Sequence, residues 1–295
     1  MNKTSLFLLC LVTFICYQCN SQGNHVKETL VIEGRERVFY FKEPAAALSE
    51  PSLVFILHGS GGNAGNVIEK SKQLSAIADG ENVVLVYPEG YQQYWNECRK
   101  AANSKANLEN INEEAFFDAM IAFFKKKYAI DDRNVFAIGT SGGGHMCYKL
   151  ALTMPRKFAA ITALIANLPD TDNMDCTESK IALPVMVVNG TADPLNPYNG
   201  GMMRSGDFIM GNVRSTDRTI EYWTTLAGHT APPVKETLPD ADPGDGKTIE
   251  RYTYRSPGKP DVVLLKVIGG KHDLPGDADV YLEAWNFFKR QQRVP

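Results

Sequence analysis

The 295-residue sequence contains no apolar run long enough to cross a membrane as a helix; the segment 6–15 is about ten residues, well short of a span. There is no excess of one charge either. Lys and Arg number 31 against 34 Asp and Glu, a net charge of −3, without a basic patch or a block of like charges. That removes a nucleic-acid-binding face and a charged tail from consideration. Cysteine is scarce past residue 21: Cys98, Cys147 and Cys176 make one disulfide at most, and the sequence does not say which pair, if any. No internal repeat and no low-complexity linker breaks the chain. The acidic turn 240–246 lacks a regular metal-ligand spacing. What remains is the composition of a globular protein. Residues 22–295 read as one domain, with no call for a metal or an organic cofactor.

The first residues have a different character. Lys3 gives a short positive start, 6–15 forms an apolar core, and Cys19-Asn20-Ser21 ends it as a small-residue cleavage site. Residues 1–21 are therefore expected to be a signal peptide, with Gln22 as the mature start and an exported, periplasmic or extracellular protein as the product. A lipid-anchored form through Cys16 or Cys19 is the alternative. Ile15 and Gln18 precede those cysteines, where lipoprotein processing usually wants a small residue.

Short apolar runs alternate with helical patterns along the rest. Residues 28–33 and 37–42 read as a hairpin around Gly34. Strands are expected at 52–57, 83–87, 135–138, 159–166, 183–189, 248–254 and 262–268. Helices are expected at 66–79, stopped by Gly80, after the cap Asn112, after residue 141, at 215–226 and near the end around Tyr281, Trp285 and Phe288. Strands alternating with helices predict an α/β fold with a mostly parallel central sheet covered by helices on both faces. The connection 167–182 is too short for a large cap domain, and 194–214 reads as an irregular rim.

Chemistry concentrates at 135–149. A buried strand runs into Gly139-Thr140-Ser141-Gly142-Gly143, a G-x-S-x-G, and a helix with one apolar face follows. A serine at such a strand-to-helix turn is held in a strained conformation with its hydroxyl exposed, and the helix N-terminus favours negative charge beside it. A serine nucleophile needs a base, and the base an orienting acid. In α/β-hydrolases these follow in the order Ser, Asp or Glu, His. Of the five histidines, His229 and His272 come late enough; His272 stands at the carboxyl end of the strand 262–268, while His229 precedes a proline-rich turn. Asp193 lies just past the strand 183–189 and is the expected acid. The loop after the strand 52–57 is expected to supply the Ser60 N–H of an oxyanion hole, with Gly142 N–H as the second donor and His58 holding the loop.

LHGSGGN, the YWNECR stretch, GTSGGG, NGTADPLNPYNGG and GGKHDLPG, in that order, resemble the secreted polyhydroxybutyrate depolymerase and feruloyl esterase group of α/β-hydrolases. The resemblance runs from about Leu53 to Trp285. It implies Ser141, Asp193 and His272 as nucleophile, acid and base. It further implies that Tyr198 and the glycines after it shape the site edge, and that Trp95 and Asn96 lie near it as substrate contacts. Two departures bear on the substrate: Leu274 stands where the group often has an aromatic residue, and Gly142 where it often has Asn. The chain ends ten residues past Trp285 without a binding module, which counts against a depolymerase of solid polyester. The expectation is an exported serine esterase acting on small-molecule or oligosaccharide esters: feruloyl or acetyl sugar esters, or short hydroxyalkanoate esters. The rivals are a prolyl-oligopeptidase-type peptidase and an inactive hydrolase-like binding protein at the cell surface.

The leader reading has a direct test. Intact-mass and N-terminal analysis of the exported protein should find Gln22 as the first residue; a diacylated cysteine at 16 or 19 would mean a lipoprotein instead.

Overall fold

The computed structural model describes residues 25–206 and 208–291. The expected signal peptide and its cleavage point lie outside them. Among the described residues, twelve strands appear in the order β1 (His25–Ile32), β2 (Arg35–Lys42), β3 (Ser52–Leu57), β4 (Val83–Pro88), β5 (Val135–Thr140), β6 (Ala160–Leu164), β7 (Val185–Gly190), β8 (Gly201–Ser205), β9 (Phe208–Val213), β10 (Val234–Thr237), β11 (Thr248–Tyr254) and β12 (Val262–Ile268). The helices are α1 (Ala64–Lys70), α2 (Lys72–Ile77), α3 (Lys105–Leu108), α4 (Glu113–Tyr128), α5 (Gly142–Thr153), α6 (Thr216–Ala227) and α7 (Val280–Lys289).

Ten strands form one sheet in the order β1-β2-β4-β3-β5-β6-β7-β12-β11-β10. The six from β4 to β12 pair in parallel. Antiparallel pairs close both edges. Alternation along each central strand explains the two-faced core. Leu53, Phe55 and Leu57 of β3 pack with α4, α5 and α6, whereas Val54 and Ile56 pack with α1, α2 and α7. Strands buried on both faces have no polar side, which is why they read as unbroken apolar runs.

The structure departs from the sequence reading in three places. The helix expected at 66–79 is two helices that meet at Ser71, whose φ −102 and ψ 18 are not helical; its hydroxyl shares Val67 O with its own N–H, at 2.6 Å. The rim 194–214 is not irregular: β8 and β9 pair as a separate hairpin, hidden in the sequence by glycines that dilute the alternation. The edge strand β10 is wholly exposed and has no apolar periodicity to reveal it. The connection between β6 and β7 holds only a 3-10 turn, Thr171–Asn173, and among the described residues no helical cap covers the sheet. Cys98 and Cys176 form the disulfide, and Cys147 is a free, buried thiol on α5.

α4 begins where Asn112 accepts the Ala115 N–H, with Glu113 and Glu114 in its first turn and lysines in its last. Glu113 is fully buried against Arg37 at 2.8 Å and also accepts the Asn96 N–H. Burial raises its carboxyl above the ordinary value, and Arg37 beside it opposes part of that rise. Removing one partner strands a charge in the interior. Arg37→Met should therefore cost about 3–5 kcal/mol in urea unfolding. Arg37→Met with Glu113→Gln keeps an acceptor for the Asn96 N–H and should recover most of that loss; equal losses in the single and double variants would refute the pairing argument.

Candidate active site

The strand-to-helix turn after β5 is built from backbone packed on backbone. A Cβ on Gly139 would lie 2.0 Å from Gly143 O, one on Gly143 2.6 Å from Leu57 O, and one on Gly144 2.8 Å from the Ala166 side chain. Only glycines admit that approach. It drives Ser141 to φ 53, ψ −115, a conformation a serine rarely adopts. Its neighbour at the end of β6, Ile165, is also forced to φ 47, unusual for a β-branched residue. The first helical bond of α5, His145 N–H to Ser141 O, then starts directly under the hydroxyl.

Asp193 and His272 come together by the same device. A Cβ on Gly190 would meet Gly270 O at 2.3 Å, so the end of β7 touches the turn after β12. Ala192 N–H bonds Gly270 O, and Gly269 N–H bonds the Thr191 hydroxyl, lacing the two loops. Asp193 is buried and its Oδ1 accepts the N–H groups of Leu195 and Asn196, both at 2.8 Å. Its Oδ2 accepts His272 Nδ1–H at 2.7 Å. That bond leaves Nε2 as the acceptor, 3.0 Å from Ser141 Oγ. The arrangement is suited to moving a proton from the serine to the imidazole.

A Cβ on Gly142 would lie 2.4 Å from Ser60 Oγ and 2.9 Å from Ser60 N, so the 58–62 loop runs against the start of α5. His58 shapes that loop. It donates from Nδ1 to Gly59 O, accepts Gly90 N–H at Nε2, and its carbonyl takes the Trp95 indole N–H. His229 is far from this chemistry; its ring bonds Pro260 O and the Ser256 hydroxyl. Ser141 and His272 open into a cleft of about 640 Å³.

No family model matches the chain. A protein of Nocardia uniformis subsp. tsuyamanensis named as an esterase, NocK, is 29% identical over 265 residues, covering 86% of this chain and 75% of its own. Feruloyl esterase C of Emericella nidulans is 28% identical over 199 residues, 66% of this chain and 68% of its own length. The acetyl xylan esterase of Aspergillus awamori shares the fold, with a TM-score of 0.60 at 17% identity over 89% of this chain and 99% of that one. The chain is a carboxylic ester hydrolase with the α/β-hydrolase fold.

The substrate contacts implied by resemblance fall unevenly in this hydrolase. Trp95 lines the cleft, although only 2% of it is exposed. Asn96 is outside the lining; its side chain bonds Asn110 and Ile111 O and so braces the loop before α4. Tyr198 lines a different hollow, between α6 and the β11–β12 edge, with its hydroxyl on Asp217. Sequence reasoning passed over Glu97, Arg99, Met203 and Phe208, which do line the cleft. Glu97 and Arg99 flank Cys98 within the YWNECR stretch that carried the resemblance, and that was the available signal. Met203 and Phe208 belong to the β8–β9 hairpin and gave none.

Two buried histidines set a pH response. Burial holds His58 below its ordinary value, against the opposing bond to Gly59. Burial first, then the charge of Arg99, holds His145 well below its own. Both are neutral when folded near pH 7, but take up a proton below about pH 6.5 when unfolded. Their contribution to stability is full above that pH and is lost as pH falls through 6.5 towards the folded values, with a limiting slope of about 1.4 kcal/mol per pH unit for one proton. In urea titrations from neutral pH down to about 5, His145→Met should flatten the dependence by that amount. An unchanged slope would show that His145 is protonated in the folded chain.

Proposed function

We propose that residues 22–295 form one catalytic domain of an exported serine esterase that works through an acyl-enzyme. The observation that carries the reading is the continuous chain Asp193–His272–Ser141 in the wall of an open cleft. Ser141 Oγ attacks the ester carbonyl carbon and passes its proton to His272 Nε2. Asp193 holds the imidazole in the required tautomer and stabilises its charge. The N–H groups of Ser60 and Gly142 receive the oxyanion, aided by the N-terminus of α5. The tetrahedral species collapses, the alcohol leaves with the proton from His272, and water repeats the sequence to free the acid.

Relatives named feruloyl esterase and acetylxylan esterase support sugar esters of feruloyl or acetyl groups as substrates. The cleft favours a planar group as well: the rings of Tyr94 and Phe208 line it nearly parallel, 11° apart in plane with centroids 6.2 Å apart. Its rim is a two-stranded hairpin, so substrate access requires no lid opening. Export fits a chain in which no helix among the described residues is long and apolar enough to span a membrane.

Ser141→Ala and His272→Ala should each lower kcat by about 10⁴–10⁶-fold, and Asp193→Ala by about 10⁴-fold, with the fold intact by circular dichroism. His229→Ala should turn over normally. A fluorophosphonate should label the wild type and not Ser141→Ala. Against nitrophenyl esters, kcat/KM should favour acetyl and feruloyl groups over long acyl chains and show no jump when droplets form. Loss of activity in His229→Ala with retention in His272→Ala would sink the assigned base, and a rate climbing steadily with chain length would sink the open-site reading.

A further inference from the structure

Acyl transfer makes no use of the ion pair Glu97–Arg99, yet the pair stands in the wall of the cleft that holds Ser141 and His272. Both side chains are almost wholly buried, 2% and 4% exposed. Apolar side chains would fill such a wall at less cost than two desolvated charges. The pair is also held rigidly. Cys98, between the partners, is tied to Cys176. Arg99 bridges to Met174, and the next two residues donate their N–H groups to Asn173 O and Asn173 Oδ1.

The hydrogen bonds of the guanidinium are spent unevenly. Glu97 Oε1 accepts from Nε at 2.9 Å and Nη2 at 2.8 Å, and Glu97 Oε2 accepts the backbone N–H of Arg99 itself at 2.9 Å. This fixes the plane of the group and balances its charge. Nη1 is left with Met203 Sδ at 3.5 Å. A thioether is a weak acceptor, so a buried, charged N–H is incompletely satisfied where substrate must lie. Met203 lines the same cleft and is the group that an incoming oxygen would displace.

We propose that Arg99 is a specificity-determining residue of the esterase. Its Nη1 donates to a neutral oxygen, a hydroxyl, methoxyl or carbonyl, on the part of the ester that fills the cleft. A carboxylate is disfavoured, because Glu97 already neutralises the guanidinium and stands beside it. An ester without the oxygen leaves the N–H on sulfur and binds with that bond unmade, which is how a site built around a polar donor rejects an apolar analogue. The inference rests on the esterase reading above.

The test compares matched pairs of esters. Nitrophenyl methoxyacetate against nitrophenyl butyrate probes an oxygen in the acyl part; the acetyl esters of methoxyethanol and butanol probe one in the alcohol part. Intrinsic reactivity cancels when each ratio of kcat/KM is compared between wild type and variant. Glu97→Gln with Arg99→Met removes the pair without stranding a charge. It should lower the oxygen-to-alkyl ratio in one of the two pairs by about ten- to one-hundred-fold, chiefly through KM, and the pair that responds identifies the part contacted. Met203→Leu keeps the ion pair and removes the competing sulfur, so it should raise the same ratio; it decides the matter if the double variant does not fold. Equal losses on both members of each pair would make Arg99 a purely structural brace, and ratios unchanged in Met203→Leu and the double variant would likewise overturn the assignment. Absence of any ester turnover or fluorophosphonate labelling in the wild type would instead sink the esterase reading itself.

Discussion

Backbone-to-backbone contact at glycine is the constraint on which the site depends. Gly143 lies against the carbonyls of Leu57 and His58, and Gly139 against Gly143, at distances that no side chain survives. These contacts bring β3, β5 and α5 closer than ordinary packing allows. The strain they impose on Ser141 is held by neighbours that have no room to relax. Gly190 does the same between β7 and the turn after β12, and there it aligns Asp193 with His272. A methyl group at any of these places would separate groups whose chemistry needs about 3 Å.

The rest of the cleft is braced by different means. Asn173 is nearly inaccessible and ties three segments together. It meets the N–H groups of Lys100 and Ala101, and it donates to Met210 O and Asn212 O on β9. Gly211 has a positive φ and would collide with this side chain if it carried a Cβ. The Cys98–Cys176 disulfide crosses the same region. Behind it, the Glu113 carboxylate, paired with Arg37, accepts the Asn96 N–H, and the Lys149 ammonium donates to the Asn96 carbonyl. A long connection between β4 and α4 thus acquires a fixed shape with only the short helix α3 in it, as loops carrying function commonly do.

Division of labour follows from this. The sheet ends deliver the hydrogen-bonded array, and each of Ser141, Asp193 and His272 lies within a few residues of a strand's carboxyl end. Loops and the β8–β9 hairpin deliver the surface that meets substrate. Fold and reaction class therefore follow from the sheet, whereas the shape of the cleft follows from the loops and the β8–β9 hairpin.

The sequence by itself determined the alternation of strands and helices, the position of the elbow and which histidine, His272 rather than His229, lies beside Ser141. Each of those is local: an apolar run, a glycine pattern, a residue just past a strand. It left Cys98 unpaired with Cys176 because they are 78 residues apart and meet only across the folded cleft wall. It missed the β8–β9 hairpin because glycines remove the periodicity that marks a strand. It could not separate Trp95, which lines the cleft, from Asn96, which turns into the loop, because adjacent residues of an irregular segment carry no rule for where they point. The resemblance put Tyr198 at the site edge, but three-dimensional packing places it in the lining of a separate hollow, together with Ile220 and Leu264. Only tertiary structure decides which face a loop residue takes, since that depends on what the rest of the chain puts beside it.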